Sequence, residues 1–364
     1  MLNTSLLHIL KRRLSEWGKS ICVLAIVLSL LCFSALGVYG QSEPGTSKIV
    51  ENISFISNTT FSSIDPVVTE VGKISLSIDG LGTLAESGTI QVEKLAGATV
   101  RSAYMAAAST GFTGYQLSDG DVKIDGAAVN WDVSIPGAIS NWNHWADVTS
   151  LVKPKIDAAP AGRVDFNLTE AYTGYIDGEI LAVIFNDPSQ TVDNTVILFF
   201  GAQEVEGDTF VISLASPLDK SDPNLELDMS LGISYGYQGY GQYSIIDVNG
   251  IRVSTSAGGQ DDGAPANGAL LTVGGLDDSN ANPADPYATP SGNPRIDDEL
   301  YDLLPFVETG DTSITIFTQN PSADDGIFFA GLFLASVRAS AGEEGRRARP
   351  VVVGGEVLEF SPLM

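Results

Sequence analysis

Hydrophobic positions along the chain fall into short, β-branched runs, broken about every ten residues by Gly, Asn, Asp or Pro. Runs at 73–78, 89–94, 99–107, 122–124, 164–168, 179–185 and 195–200 read as strands. Further strands are expected at 209–214, 228–237, 243–248, 251–254, 313–318 and 327–335. Helical periodicity is scarce, and only 146–153 and 296–306 read as helical turns. Many short strands with regular turn signals predict an all-β protein of the sandwich or jelly-roll kind. Residues 41–65, rich in Ser, Thr and Asn, read as a leader.

The pattern also repeats. The segment Val122-Lys-Ile-Asp-Gly-Ala-Ala-Val129 resembles Ile245-Ile-Asp-Val-Asn-Gly-Ile-Arg-Val253, each a strand, an Asp/Asn-Gly turn and a second strand. Asp147-Val-Thr-Ser-Leu-Val152 parallels Asp298-Glu-Leu-Tyr-Asp-Leu-Leu304. Leu181–Ser189 followed by Asn194–Phe200 parallels Ser313–Ser322 followed by Gly326–Ala330. Three landmarks in one order predict two tandem β-sandwich domains, 66–204 and 205–338, before a tail at 339–364 that turns from basic to apolar. A short β-type run at 351–360 lies in that tail.

At the other end Lys11, Arg12, Arg13 and Lys19 precede an uncharged apolar stretch from Ser20 to Gly40, with Val38 and Gly40 placed for cleavage before Gln41. This order is that of a signal peptide, 1–40, and the expected location is secreted or cell-surface. The rival reading is an uncleaved anchor, since the run is long enough to span a bilayer. Neither Cys22 nor Cys32 follows the small residue that lipoprotein processing wants.

Composition narrows the chemistry. The 364 residues carry 45 Asp+Glu against 19 Lys+Arg, a formal charge of −26. Four of the bases and one acid precede Gln41, leaving 15 against 44 beyond it. Such a balance opposes nucleic-acid binding and attracts divalent cations. Both cysteines and His8 lie before Gln41, so the exported part would hold one histidine, His144, and no thiol. Disulfides, thiol nucleophiles and Cys/His zinc sites are thereby excluded from it. With 44% hydrophobic residues the chain can build real cores. Asn52, Asn58 and Asn167 open N-x-S/T triplets that could accept glycan.

Four constellations could carry function. Asp261, Asp262, Asp277, Asp278 and Asp285, with Asn280 and Asn282, crowd two Gly/Asn-rich loops. Calcium takes six to eight oxygens from such groups, so a structural calcium site is set against a solvated acidic loop. Asp119, Asp121 and Asp125 form a weaker version, better read as a turn. Trp131, Trp142 and Trp145 flank His144. Their faces would either stack on sugar rings or fill a seam between sheets. His144 lacks the accompanying nucleophile motif that a catalytic base would need. Tyr235, Tyr237, Tyr240 and Tyr243 alternate with Gly and Gln, as an aromatic platform or a cross-strand hairpin. Among so many acids no carboxylate pair for glycoside hydrolysis stands out.

Gly97-Ala-Thr-Val-Arg-Ser-Ala-Tyr-Met105, Ala146-Asp-Val-Thr-Ser-Leu-Val152 and Glu179-Ile-Leu-Ala-Val-Ile-Phe-Asn-Asp-Pro-Ser189 resemble the exported group of domain-of-unknown-function 3344. Gly258-Gly-Gln-Asp-Asp-Gly263 and Asp324-Asp-Gly-Ile-Phe-Phe-Ala330 are similar to sequence in such proteins. The resemblance implies a surface-exposed β-sandwich and carries no functional residue with it. The expectation is therefore a secreted, non-enzymatic cell-surface or extracellular-matrix protein, calcium-stabilised, working by adhesion or assembly. Its partners would be extracellular polysaccharide, other surface proteins or further copies of itself, and not nucleic acid. The alternatives are a carbohydrate-binding module and a carboxylate-based polysaccharide hydrolase.

Overall fold

Turn-bounded apolar runs of this length form strands, and they do so throughout. The computed structural model describes residues 63–82, 85–235, 244–258, 271–288, 299–324 and 326–339, and the backbone of 351–353 and 356–358. All belong to one compact unit, Thr59–Met364. The chain runs through β1 (Asp65–Gly72), β2 (Ile74–Leu81), β3 (Ser87–Lys94), β4 (Thr99–Ser109) and β5 (Val122–Ile124). Next come β6 (Ala127–Ala128), β7 (Val133–Pro136), β8 (Trp142–Asp147), helix α1 (Thr149–Ala158), β9 (Gly162–Glu170) and β10 (Ile176–Asn186). The second course is β11 (Asn194–Phe200), β12 (Asp208–Ser213), β13 (Glu226–Ser234), β14 (Ser244–Val248) and β15 (Ile251–Ala257). It continues with β16 (Leu271–Val273), β17 (Leu300–Asp302), β18 (Ser313–Gln319) and β19 (Gly326–Ala335). A hairpin of β20 (Val351–Val353) and β21 (Glu356–Leu358) follows. The protein is all-β, with one short helix among the described residues.

Four antiparallel sheets make the body. Two outer sheets have the orders β3-β9-β5-β6 and β12-β18-β14-β15. The inner sheets are β2-β10-β4-β8-β7 and β1-β11-β19-β13-β16, with β17 also on β13. One core joins Ile90, Val92, Phe166 and Leu168 of the first outer sheet to Met105, Leu181 and Phe185 of the first inner sheet. A second joins the inner sheets through Ile78, Ile180, Ile184, Val196, Leu198 and Phe328. A third joins Phe199, Leu231 and Leu332 to Phe210, Ile246 and Ile316 of the other outer sheet. The layers therefore stack outer, inner, inner, outer. Outer strands alternate, as in β12 and β18, because one face meets water. In β10 and β11 nearly every position is buried, because both faces are covered. The inner sheets approach closely where side chains vanish: a Cβ on Gly232 would lie 2.5 Å from Ile180 Cδ1, and one on Gly331 2.5 Å from Ile78 Cδ1.

The two courses use the same devices. Asp125 and Asn249 both turn their hairpins at positive φ, 49° and 51°, each followed by a left-handed glycine. Asp125 Oδ1 accepts from Asn167 N at 3.0 Å, and Asn249 Oδ1 from Thr315 N at 2.9 Å. Asp125 and Asn249 stand at the Asp/Asn-Gly turns that the sequence pairs.

Other expectations change. The run at 146–153 begins inside β8, and helix α1 starts only at Thr149. In the described part of 296–306 the chain forms β17 and a 3-10 turn (Leu304–Phe306), because Tyr301 pairs with Met229 and is fully buried. β11, expected in the first domain, pairs along its length with β19. The third sequence parallel is also out of step, since β10 lies in an inner sheet and β18 in an outer one. The element that corresponds to β18 is β9, which likewise precedes an inner strand. Among the described residues no helix is long and apolar enough to cross a membrane. Residues 1–62, with the expected signal segment, Asn52 and Asn58, lie outside the described residues, whereas Asn167 is exposed on β9.

Candidate functional site

Strand alternation carries a chain of polar groups into the first core at one end. On β9, Val164, Phe166, Leu168 and Glu170 all point inward, so the last inward position holds a carboxyl group. On the first inner sheet, Ala107 is paired with Glu179 on one side and with His144 on the other. These three stand abreast on the face that meets Glu170. A bulge between Ile176 and Gly178 admits Asp177 beside them. Glu170, Asp177 and Glu179 are 6%, 1% and 0% exposed.

None of their six carboxyl oxygens has a hydrogen-bond partner of good geometry. Burial, and only weakly the Thr173 hydroxyl against it, pushes Glu170 up to about 8. Burial likewise lifts Asp177 to about 8, eased by Thr110 and the Tyr235 backbone and reinforced by Glu170. Glu179 is raised well above the carboxylate range by burial and then by the neighbouring Glu170. His144 Nε2 accepts from Leu117 N at 3.0 Å, which leaves the ring proton on Nδ1. Burial drives its pKa down to about 4, so the imidazole is neutral too. At neutral pH the cluster is thus an uncharged set of acids, the state that burial without a counter-ion demands.

Outside this cluster stands an aromatic shell. Tyr172 and Tyr175 sit on the connection between β9 and β10 and are 54% and 49% exposed. Tyr115, on the β4–β5 connection, stacks on Tyr175 at 5.3 Å and meets Tyr172 edge-on at 5.8 Å. Its hydroxyl donates to Asp121 Oδ2 at 2.7 Å. Phe112, on the same connection and 60% exposed, meets Tyr235 edge-on at 5.7 Å. Local backbone bonds hold the shell: Thr110 N donates to Tyr175 O at 2.9 Å, and Gly114 N to Ser140 O at 2.7 Å.

The residues singled out from sequence fare differently. Trp145 is no platform: it is 7% exposed and stacked on Tyr104, with Phe200 at 5.4 Å, because its position on β8 faces the other inner sheet. Trp131 packs on the first core with its ring 5.3 Å from His144, and its indole N–H is buried without a partner. Trp142 is half-buried at the start of β8. Of the Tyr/Gly ladder, Tyr235 joins the shell, while Tyr237, Tyr240 and Tyr243 lie outside the described residues. Phe112, Tyr115, Tyr172 and Tyr175 escaped the sequence reading; the signal was the Tyr-Thr-Gly-Tyr spacing beside Glu170 and Asp177.

Among the described residues the loop acids and amides each have their own partners. Asp277 pairs with Arg163 at 2.7 Å, and Asp278 Oδ2 accepts from Gly275 N at 2.6 Å. Asn280 donates to Asp228 at 3.1 Å, Asn282 to Asp302 O at 2.7 Å, and Asp285 Oδ1 accepts from Tyr287 N at 3.1 Å. Asp261 and Asp262 lie outside the described residues. Among the described residues no group of three His, Cys, Asp or Glu could hold a metal ion. Asp119 and Asp121 accept turn N–H groups from Trp131 and Ser118. Two open depressions, of about 420 and 450 Å³, lie elsewhere: one beside Lys73 and Arg101, the other beside Asp193 and Arg338. No protein-family model matches the chain, and neither does any curated protein.

Proposed function

We propose that the protein is an exported, non-enzymatic surface or matrix protein that works by adhesion or assembly. Its body would be two sandwich domains in tandem, each an outer sheet on an inner one. The division would fall between β10 and β11, since β2 to β10 and β11 to β19 then follow one order. The observation that carries the reading is that the acids are buried while the aromatic rings on the connections next to them are exposed. A hydrolase needs one acid and one base in contact with substrate. Here the acids are at most 6% exposed, and the groups offered to a partner are tyrosine and phenylalanine faces. The strongly negative charge keeps such a surface soluble and turns away polyanions.

One observation favours a hydrolase as the second reading: Glu170 and Glu179 act on one another, and a carboxyl group held protonated at neutral pH is a general acid in form. A single assay separates the two readings. The protein is incubated with insoluble polysaccharides and with immobilised copies of itself, and retention and release of new reducing ends are both measured. Retention without release is the expected result. Release that disappears in Glu179→Gln establishes the hydrolase, and neither retention nor release removes the adhesive reading.

A further inference from the structure

We propose that Tyr115, Tyr172 and Tyr175, with the separate Phe112–Tyr235 pair, form a stacking platform for a neutral polysaccharide. This deepens the adhesive reading and rests on it. Within each of the two groups the rings touch at 5.3–5.8 Å between centroids, so a ligand lies across them and not between them. Contact at that distance leaves no cage for a cationic head-group. A pyranose presents C–H bonds on one face, and these meet the electron-rich face of an aromatic ring. Its hydroxyl rim then needs donors and acceptors at the edge of the platform. The hydroxyls of Tyr172 and Tyr175 and the Gln116 amide supply them on exposed positions.

Charge selects among sugars. From Thr110 to Asp121 and from Glu170 to Glu179 there is no Lys or Arg, while Asp121 accepts from the Tyr115 hydroxyl. Uronates, sulfated chains and phosphates are therefore disfavoured. The fold does not require the aromatics. The connection from β18 to β19 takes the equivalent place in the second course and reads Asn320-Pro-Ser-Ala-Asp324, without a ring. The rings are also held in position: Phe112 keeps a left-handed backbone, φ 65°, with its N–H on Ile139 O at 2.6 Å. Placing a bulky residue there costs conformational energy that packing of the core does not repay, as the ring itself is mostly exposed.

The test uses the whole exported chain in co-sedimentation with insoluble neutral glucan and with chitin, and in affinity electrophoresis through soluble neutral glucan. The double variant Tyr172→Ala/Tyr175→Ala should weaken retention about ten-fold or more, equivalent to roughly 1.4 kcal/mol. Tyr172→Leu, which keeps the apolar volume and removes the planar face, should weaken it too. Tyr287→Ala, at an exposed ring outside the platform, should change nothing. Thermal melts confirm that each variant folds. If the parent is retained on these polymers and the tyrosine variants equally so, the platform is wrong while the adhesive reading stands. If the parent instead binds only charged polymers or copies of itself, the neutral-sugar assignment falls. If it binds neither polysaccharide nor itself, both readings fall together.

Discussion

Asp147 and Asp302 do the same work in the two courses of the chain. Each ends a strand of an inner sheet, and each accepts through Oδ1 a 2.8 Å hydrogen bond from the backbone N–H two residues on, Thr149 and Leu304. The residues between them are tied alike: Val148 N donates to Ala103 O at 2.9 Å, and Leu303 N to Leu227 O at 2.8 Å. A single side-chain hydrogen bond to the backbone is worth about 1 kcal/mol. Asp147→Ala and Asp302→Ala should therefore each lower unfolding free energy by about that amount. Because they share no partner, the double variant should lose the sum. Urea unfolding checks this, and strong non-additivity would show that the courses are not separate at these points.

Close contact of the inner sheets depends on two missing side chains. A methyl group on Gly232 meets Ile180 Cδ1 and also lies 3.0 Å from Phe329 Cβ. Gly232→Ala should cost roughly 1–3 kcal/mol, the usual range for overpacking. Ile180→Val removes the colliding atom, so the pair Gly232→Ala/Ile180→Val should recover most of the loss. Gly331→Ala against Ile78 should behave the same way. If these variants melt like the parent, the inner layers are not packed face to face.

Calcium makes a separate prediction. One oxygen each of Asp277, Asp278 and Asp285 already accepts from a protein donor, and the amide N–H groups of Asn280 and Asn282 tie this segment to Asp228 on β13 and Asp302 on β17. Chelation should accordingly leave the melting temperature unchanged, and millimolar calcium should not raise it. A rise abolished by Asp277→Asn with Asp278→Asn would show that these loops rearrange around an ion.

Most strands were legible because turn residues bracket them and because β-branched runs have few other folds available. β8 was not, since Asn143, His144 and Trp145 are all buried: with both faces covered, alternation disappears and polar residues mimic a loop. Asp125 and Asn249 were recognisable as equivalent turns from Asp-Gly and Asn-Gly alone, because left-handed backbone restricts the choice of residue. The pairing of β11 with β19 was not recoverable, because it is a long-range fact that a fully apolar run leaves open. The site was hidden for a related reason. Glu170 and Glu179 are two among 45 acidic residues, and only register sets them on facing sheets.

The sealed acids give the protein an unusual pH dependence. Glu170 and Asp177 ionise near 8 in the folded protein, because burial resists their charge, and near 4 when unfolded. Below about pH 4 both states are protonated, and these groups cost nothing. As pH rises from about 4 to 8 the unfolded chain ionises first, so folded stability falls through that window by about 1.4 kcal/mol per pH unit for each proton retained. Asp79 and Asp228, each lifted to about 6 by burial, add to the early part of the fall. Asp125, Asp157 and Asp187 act in the opposite sense: hydrogen bonds to their charged forms outweigh burial and hold them low, so acid below about pH 4 removes their contribution. Denaturation monitored from pH 3 to 9 should thus show a maximum in mild acid and a decline toward alkaline pH. Glu179→Gln, which keeps the shape and cannot ionise, should flatten the decline and raise stability above pH 8. A parent whose stability is level between pH 5 and 8 would show instead that water reaches the acids, and the sealed core under the tyrosines would have to be abandoned.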